Sequence, residues 1–217
     1  MKDGWQAPLA VLVGVILFAA FNAKPMQSAA DIAAWVQGVG SLLAIIAAVW
    51  IYANQYSDKK ADDANETRAF VQAIRDEVET VWNDYSEQTT THLLATLEGQ
   101  IYDSFVPNLT EMLIIYRASP ARLGRIEDDE LRKLIVMSYV GLTSHFNSLT
   151  VNTQVLVETE QLRSSSDAPN KAERIAHLEE ALATYAAVLK KSHRELHDTI
   201  KALLAVSETW LVNHPAR

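Results

Sequence analysis

The residues that could do chemistry are few and widely spaced. His193 and His197 lie four apart in HRELH, a spacing that puts two imidazoles on one side of a helix, where they could share a zinc ion. The zincin arrangement also needs a glutamate directly after the first histidine, but that place holds Arg194 and the carboxylate comes one position later, at Glu195. An arginine between the two ligands repels a cation, so both histidines are assigned to the solvated flank of a helix. His145 stands next to Phe146 near an apolar face and is expected to be half-buried and hydrogen-bonded, and a lone histidine does not make an acid–base pair. Arg117, Arg122 and Arg125 crowd into the loop RASPARLGR. They are the candidate contact for an anionic ligand, such as a nucleotide, or for a partner, because guanidinium forks match phosphate and carboxylate oxygens. The competing assignment is a surface loop whose arginines pair with the acidic run Glu127 to Glu130.

Other chemistries drop out by composition. There is no cysteine, which removes thiolate nucleophiles, thiolate metal sites and disulfides together. The seven glycines are dispersed, so no loop is built to cradle a phosphate. The arginine–histidine spacing of helical-bundle ribonucleases is missing: Arg174 precedes His177 by three positions, and Arg194 precedes His197 by three. No serine–histidine–aspartate set can be proposed from spacing. The chain is therefore expected not to be an enzyme, and no catalytic residue, metal ligand or cofactor is assigned.

The elements that carry these residues follow from how charge is distributed. The chain has 217 residues, with 19 basic and 27 acidic side chains and a net charge of −8. Residues 1–53 hold only Lys2, Asp3, Lys24 and Asp31, and the other 42 charges lie beyond them. A nearly uncharged quarter is thus joined to an acidic remainder. The acidic part argues against a nucleic-acid surface, which needs a net basic face. Trp5 to Phe21 is a 17-residue apolar run with one polar side chain, at the short end of what spans a bilayer. A cleaved signal peptide is the competitor, but Asp3 offsets Lys2, and cutting after Ala23 would put bulky Phe21 where a small residue is wanted. Ile32 to Tyr52 gives 21 uncharged residues, enough to cross the hydrocarbon core, with Trp35 near one end and Trp50 and Tyr52 near the other. A reversing loop containing Pro25 joins the two, which predicts a transmembrane hairpin over residues 1–53. Lys2, Lys59, Lys60 and Arg68 on the flanks, against Lys24 alone in the loop, put both termini in the cytoplasm. In the second span Ala34, Gln37, Gly38, Ser41 and Ala44 form one stripe of small and polar residues. This stripe is read either as a packing seam, against the first helix or a neighbouring copy, or as the lining of a pore in a ring of subunits.

The rest is expected to be all-helical. Ser41 to Glu98 contains neither glycine nor proline, so the membrane helix is predicted to continue through a polar neck at 54–69 into a cytoplasmic bundle at 70–217. Phe70, Ile74, Val78, Val81 and Tyr85 mark the face of an amphipathic helix, with Leu93 and Leu97 extending it. Leu109 to Tyr116 is read as a short apolar helix after Pro107, and a long helix is predicted from about Asp128 to Arg163. Its β-branched stretch Thr150 to Val157 also alternates like a strand. Ser164 to Ala168 is read as a turn, with Asp167 as a cap and Pro169 near the first helical position. The last helix carries a heptad at Ile175, Leu182, Leu189, Leu196, Leu203 and Trp210, with Leu178, Tyr185 and Val206 in the partner register. Ser192 and Thr199 interrupt that register, which favours packing within one subunit. Four helices in an antiparallel, up-and-down bundle result.

Two apolar helices followed by a helical tail, together with the run AWVQGVGSLLAIIAAVWIYANQ at residues 34–55, resemble small two-pass bacterial inner-membrane proteins. More loosely, they resemble the two-transmembrane effector and accessory proteins of anti-phage defence systems. What the resemblance implies is homo-oligomerisation into an assembly that perturbs or permeabilises the inner membrane when triggered. The resulting expectation is a non-enzymatic, oligomeric inner-membrane protein. Its bundle senses a cytoplasmic protein or small-molecule trigger, and its lipid-embedded helices act. A passive tether that recruits a cytoplasmic partner is the alternative.

Overall fold

The computed structural model describes residues 28–106, 110–166 and 169–216, together with Val11, Gly14, Val15, Phe18, Ala19 and Asn22. Those six isolated residues are all helical. The rest of the predicted first span, Pro107 and Leu109, and Asp167 with its proposed capping role lie outside the described residues. The protein is helical, with no strand among the described residues, and it divides into two compact units, residues 1–60 and 61–217.

Helix α1 runs from Ala29 to Tyr85. It starts at a capping box. The Asp31 amide donates to Ser28 Oγ at 3.2 Å, while the Ser28 amide donates to Asp31 Oδ2 at 3.1 Å, which satisfies two amides of the first turn. Continuing through a π-helical turn at Ser86–Thr90 and α2 (Thr91–Ala95), this stretch is the one helix among the described residues long and apolar enough to cross a membrane. Its apolar window has a mean hydropathy of 2.0, and no residue of that window is buried within the protein. The helix ends at Thr96, where Lys190 Nζ donates to the carbonyl oxygen. Leu93 is buried as expected, whereas Leu97 lies beyond the last turn and is exposed.

In residues 61–217 two further long helices, α5 (Asp129–Ser164) and α6 (Lys171–Asn213), share one core with the second half of α1. Asp128 caps α5 by accepting from the Leu131 amide at 2.9 Å, which places its start where the acidic run predicted it. Thr150 to Val157 is helical throughout: no neighbouring strand competes for its backbone groups, so local helix hydrogen bonds win. α5 and α6 run in opposite senses, since Arg163 near the end of α5 pairs with Glu179 near the start of α6 and mid-helix His145 meets mid-helix Ser192. Gly141 permits their close approach; a Cβ there would sit 2.9 Å from Leu196 Cδ1.

Three expectations need correction. The predicted helix over Leu109 to Tyr116 is instead a 3-10 turn at Thr110–Met112, then α3 (Ile115–Ala118) and, inside the predicted loop, α4 (Pro120–Leu123). This segment is held from outside, because Glu77 on α1 accepts the Ile114 and Ile115 amides at 2.6 and 2.8 Å and also the Tyr139 hydroxyl. The three long helices expected in this unit are present among the described residues, and the expected short fourth is replaced by these turns. Second, α6 begins at Lys171 after Asn170 in the left-handed conformation, φ 53°, so Pro169 belongs to the turn. Third, the buried partner register of α6 is Ala186, His193, Ile200 and Ser207, one position later than predicted. Leu178, Tyr185 and Val206 are only half-buried. Small and polar side chains occupy the buried row because Tyr85 and Trp82 project into it from α1 and take up the volume.

Candidate functional site

The most unusual chemistry lies inside the second unit. Tyr85, at the last α-helical position of α1 before the π turn, directs its hydroxyl between two histidines from different helices. It lies 2.7 Å from His145 Nε2 on α5 and 3.0 Å from His193 Nδ1 on α6. His145 Nδ1 in turn lies 3.0 Å from Ser192 Oγ. Relative exposures of 0%, 0% and 4% for Tyr85, His145 and His193 shut this cluster off from any substrate. Phe146 and Trp82 wall it in, with the Trp82 ring stacked on His193 at a 5.3 Å centroid distance.

Burial disfavours charge in this cluster. A tyrosine hydroxyl has one hydrogen and two lone pairs, and a neutral imidazole has one donor and one acceptor. With both imidazoles neutral and the tyrosine hydrogen in use, two arrangements make every contact: His145 donates to Ser192 and accepts from Tyr85 while His193 donates to Tyr85, or each of these donations is reversed. Burial pushes His145 down to about 4, with the neighbouring His193 acting in the same sense. His193 is also lowered, first by burial and then by His197 and Arg194. Burial raises the Tyr85 hydroxyl, helped by Tyr102. The cluster is therefore an uncharged latch that joins three helices and resists protonation.

Sequence reasoning placed His193 on a solvated flank, and the structure buries it. His197 is exposed as expected, with its ring 6.5 Å from that of His193. His145 is hydrogen-bonded as expected but wholly buried. Among the described residues no group of three or more metal-binding side chains is assembled. The signal that could have found the cluster is the seven-residue row Ala186, His193, Ile200 and Ser207, which an apolar-only reading of the heptad passes over.

The arginine loop is organised differently from the expectation. Arg122 pairs with Glu66 at 2.9 Å, and Arg125 pairs with Glu66 at 2.6 Å and Asp63 at 3.7 Å. The acids come from α1, not from Glu127 to Glu130; there Asp128 caps α5 and Asp129 pairs with Arg132. Arg117, on α3, is exposed. Two of the three predicted anion contacts are thus already occupied by carboxylates.

In the first unit, Ala34, Gln37, Gly38, Ser41 and Ala44 are all exposed, and a Cβ added at Gly38 would meet nothing within 4 Å. The half-buried residues of this stretch are Asp31, Trp35, Val39, Leu42 and Ile46, which share a face about 120° around the helix from that stripe. No protein-family model, no curated protein and no solved structure matches the chain.

Proposed function

We propose that the chain is a non-enzymatic, membrane-anchored homo-oligomer of the bacterial inner membrane. In this reading an N-terminal two-helix hairpin sits in the bilayer with both termini cytoplasmic, and residues 61–217 form an antiparallel helical bundle that senses a trigger. The observation that supports it is the apolar stretch of α1, long enough to cross a membrane, with no residue of its most apolar window buried within the protein. The exposed stripe from Ala34 to Ala44 is the surface offered to neighbouring copies, where small residues allow close approach and Gln37 finds a partner.

The test is the subunit count of detergent-extracted protein by native mass spectrometry, for the parent and for Gln37→Leu combined with Ser41→Leu. The expected result is a defined ring of several copies that permeabilises vesicles. The double variant should lose permeabilisation. A monomer would refute the oligomeric reading, and permeabilisation-free vesicles with an intact oligomer would favour the tether.

A further inference from the structure

A second feature lies wholly within residues 61–217 and is independent of whether the chain spans a membrane. A surface cleft of about 370 Å³ opens between α1 and the end of α6, lined by Arg68, Gln72, Arg75, Glu208, Leu211 and Pro215 among others. Arg68, Gln72 and Arg75 are spaced by four and three and so share one face of α1.

The two arginines differ from four others in this acidic protein. Arg122, Arg125, Arg132 and Arg163 each touch a carboxylate directly. Arg68 instead uses Nε to donate to the His214 carbonyl at 3.0 Å, and among the described residues its terminal amino groups meet no carboxylate. Arg75 Nε is buried with no acceptor. Among the described residues its only ion pair is with Glu208 at 4.0 Å, and that carboxylate is 70% exposed. Gln72 Nε2 is taken by Asp76 at 2.8 Å, which leaves its carbonyl oxygen toward neutral donors. Arg75 keeps 25% of its side chain exposed, and a tetrahedral oxyanion offers acceptors to a fork and to a second arginine at once. Leu211 and Pro215 supply an apolar wall beside the charged end.

We infer that this cleft is a binding site for a phosphate monoester, with the dianion held between Arg68 and Arg75 and its organic portion laid on Leu211 and Pro215. Glu208 is the internal competitor, which the ligand displaces into solvent. The same phosphate chemistry is carried by soluble metabolites and by lipid headgroups, so the test has two arms.

The full chain in neutral detergent micelles is titrated calorimetrically at fixed ionic strength with glycerol phosphate, and separately with mixed micelles containing phosphatidic acid. Saturable binding is expected in at least one arm: glycerol phosphate alone identifies a soluble ligand, and phosphatidic acid alone a lipid headgroup. Arg68→Gln and Arg75→Gln should each weaken binding about 10- to 100-fold, as loss of charge-assisted hydrogen bonds does. Glu208→Gln should tighten it, a sign that a merely structural role for the arginines does not produce. Arg117→Gln, on the exposed face of α3, should bind like the parent. If Arg75→Gln fails to fold, the better-solvated Arg68→Gln and Glu208→Gln decide the matter. Absence of saturable binding in both arms overturns the inference, as does unchanged binding in the Arg68→Gln variant.

Discussion

Replacing His145 by glutamine should flatten the acid response of the second unit, and the size of the effect can be worked from the latch. In the folded chain His145 takes up a proton only near 4, against an ordinary value of 6.5 when unfolded. Between those limits the unfolded chain binds more protons than the folded one. Stability is therefore complete above the unfolded value and is lost as pH falls toward the folded one. Integrating that proton difference from about pH 7.5 to about pH 5.0 gives a loss of roughly 2 kcal/mol from His145 alone. His193, also lowered by burial, adds to it in the same direction. Most carboxylates stay ionised in this window, so the background is small. The assay is urea unfolding of the full chain in neutral detergent, followed by tryptophan fluorescence, since Trp82 stacks on His193. The parent should show the loss. His145→Gln, whatever its absolute stability, should lose about 2 kcal/mol less over the same interval. Equal losses in parent and variant would show that His145 is not held neutral by burial, and the latch reasoning would fail.

Other substitutions probe the remaining contacts. Tyr85→Phe removes the hydroxyl shared by His145 and His193 and leaves a buried ring nitrogen unpaired on at least one of them. It should cost about 1–3 kcal/mol in the same unfolding experiment. Glu77→Gln weakens the carboxylate that holds the Ile114 and Ile115 amides; hydrogen exchange should accelerate at these two amides while α5 and α6 keep their protection. Asp128→Ala removes the cap of α5 and should lower stability by about 0.5–2 kcal/mol, and Asp128→Asn should recover most of it.

Much of the architecture is a local matter and was legible in the order of residues. The apolar stretch Ile32 to Tyr52, the helix beginning at Asp128 and the buried face from Phe70 to Tyr85 follow from hydropathy, capping and period, all of which act within a few turns. The tertiary structure decided what those rules do not reach. Tyr85 meets His145 and His193 across 60 and 108 positions of chain, and nothing local to any of the three residues specifies that encounter. The buried row of α6 shifted by one position because bulky aromatic rings from α1 occupy the space opposite it, and His193 moved from flank to core with it. The short apolar stretch from Leu109 to Tyr116 does not form one helix because Glu77, on a distant part of the chain, accepts its amides in place of its own carbonyls. Likewise, which arginines are already paired and which face an open cleft was settled by the acids that folding brought beside them: Glu66 beside Arg122 and Arg125, and Glu208, at 4.0 Å, beside Arg75. Helix formation depends on near neighbours and can be read along the chain, whereas the pairing of buried polar groups depends on which helices share a core.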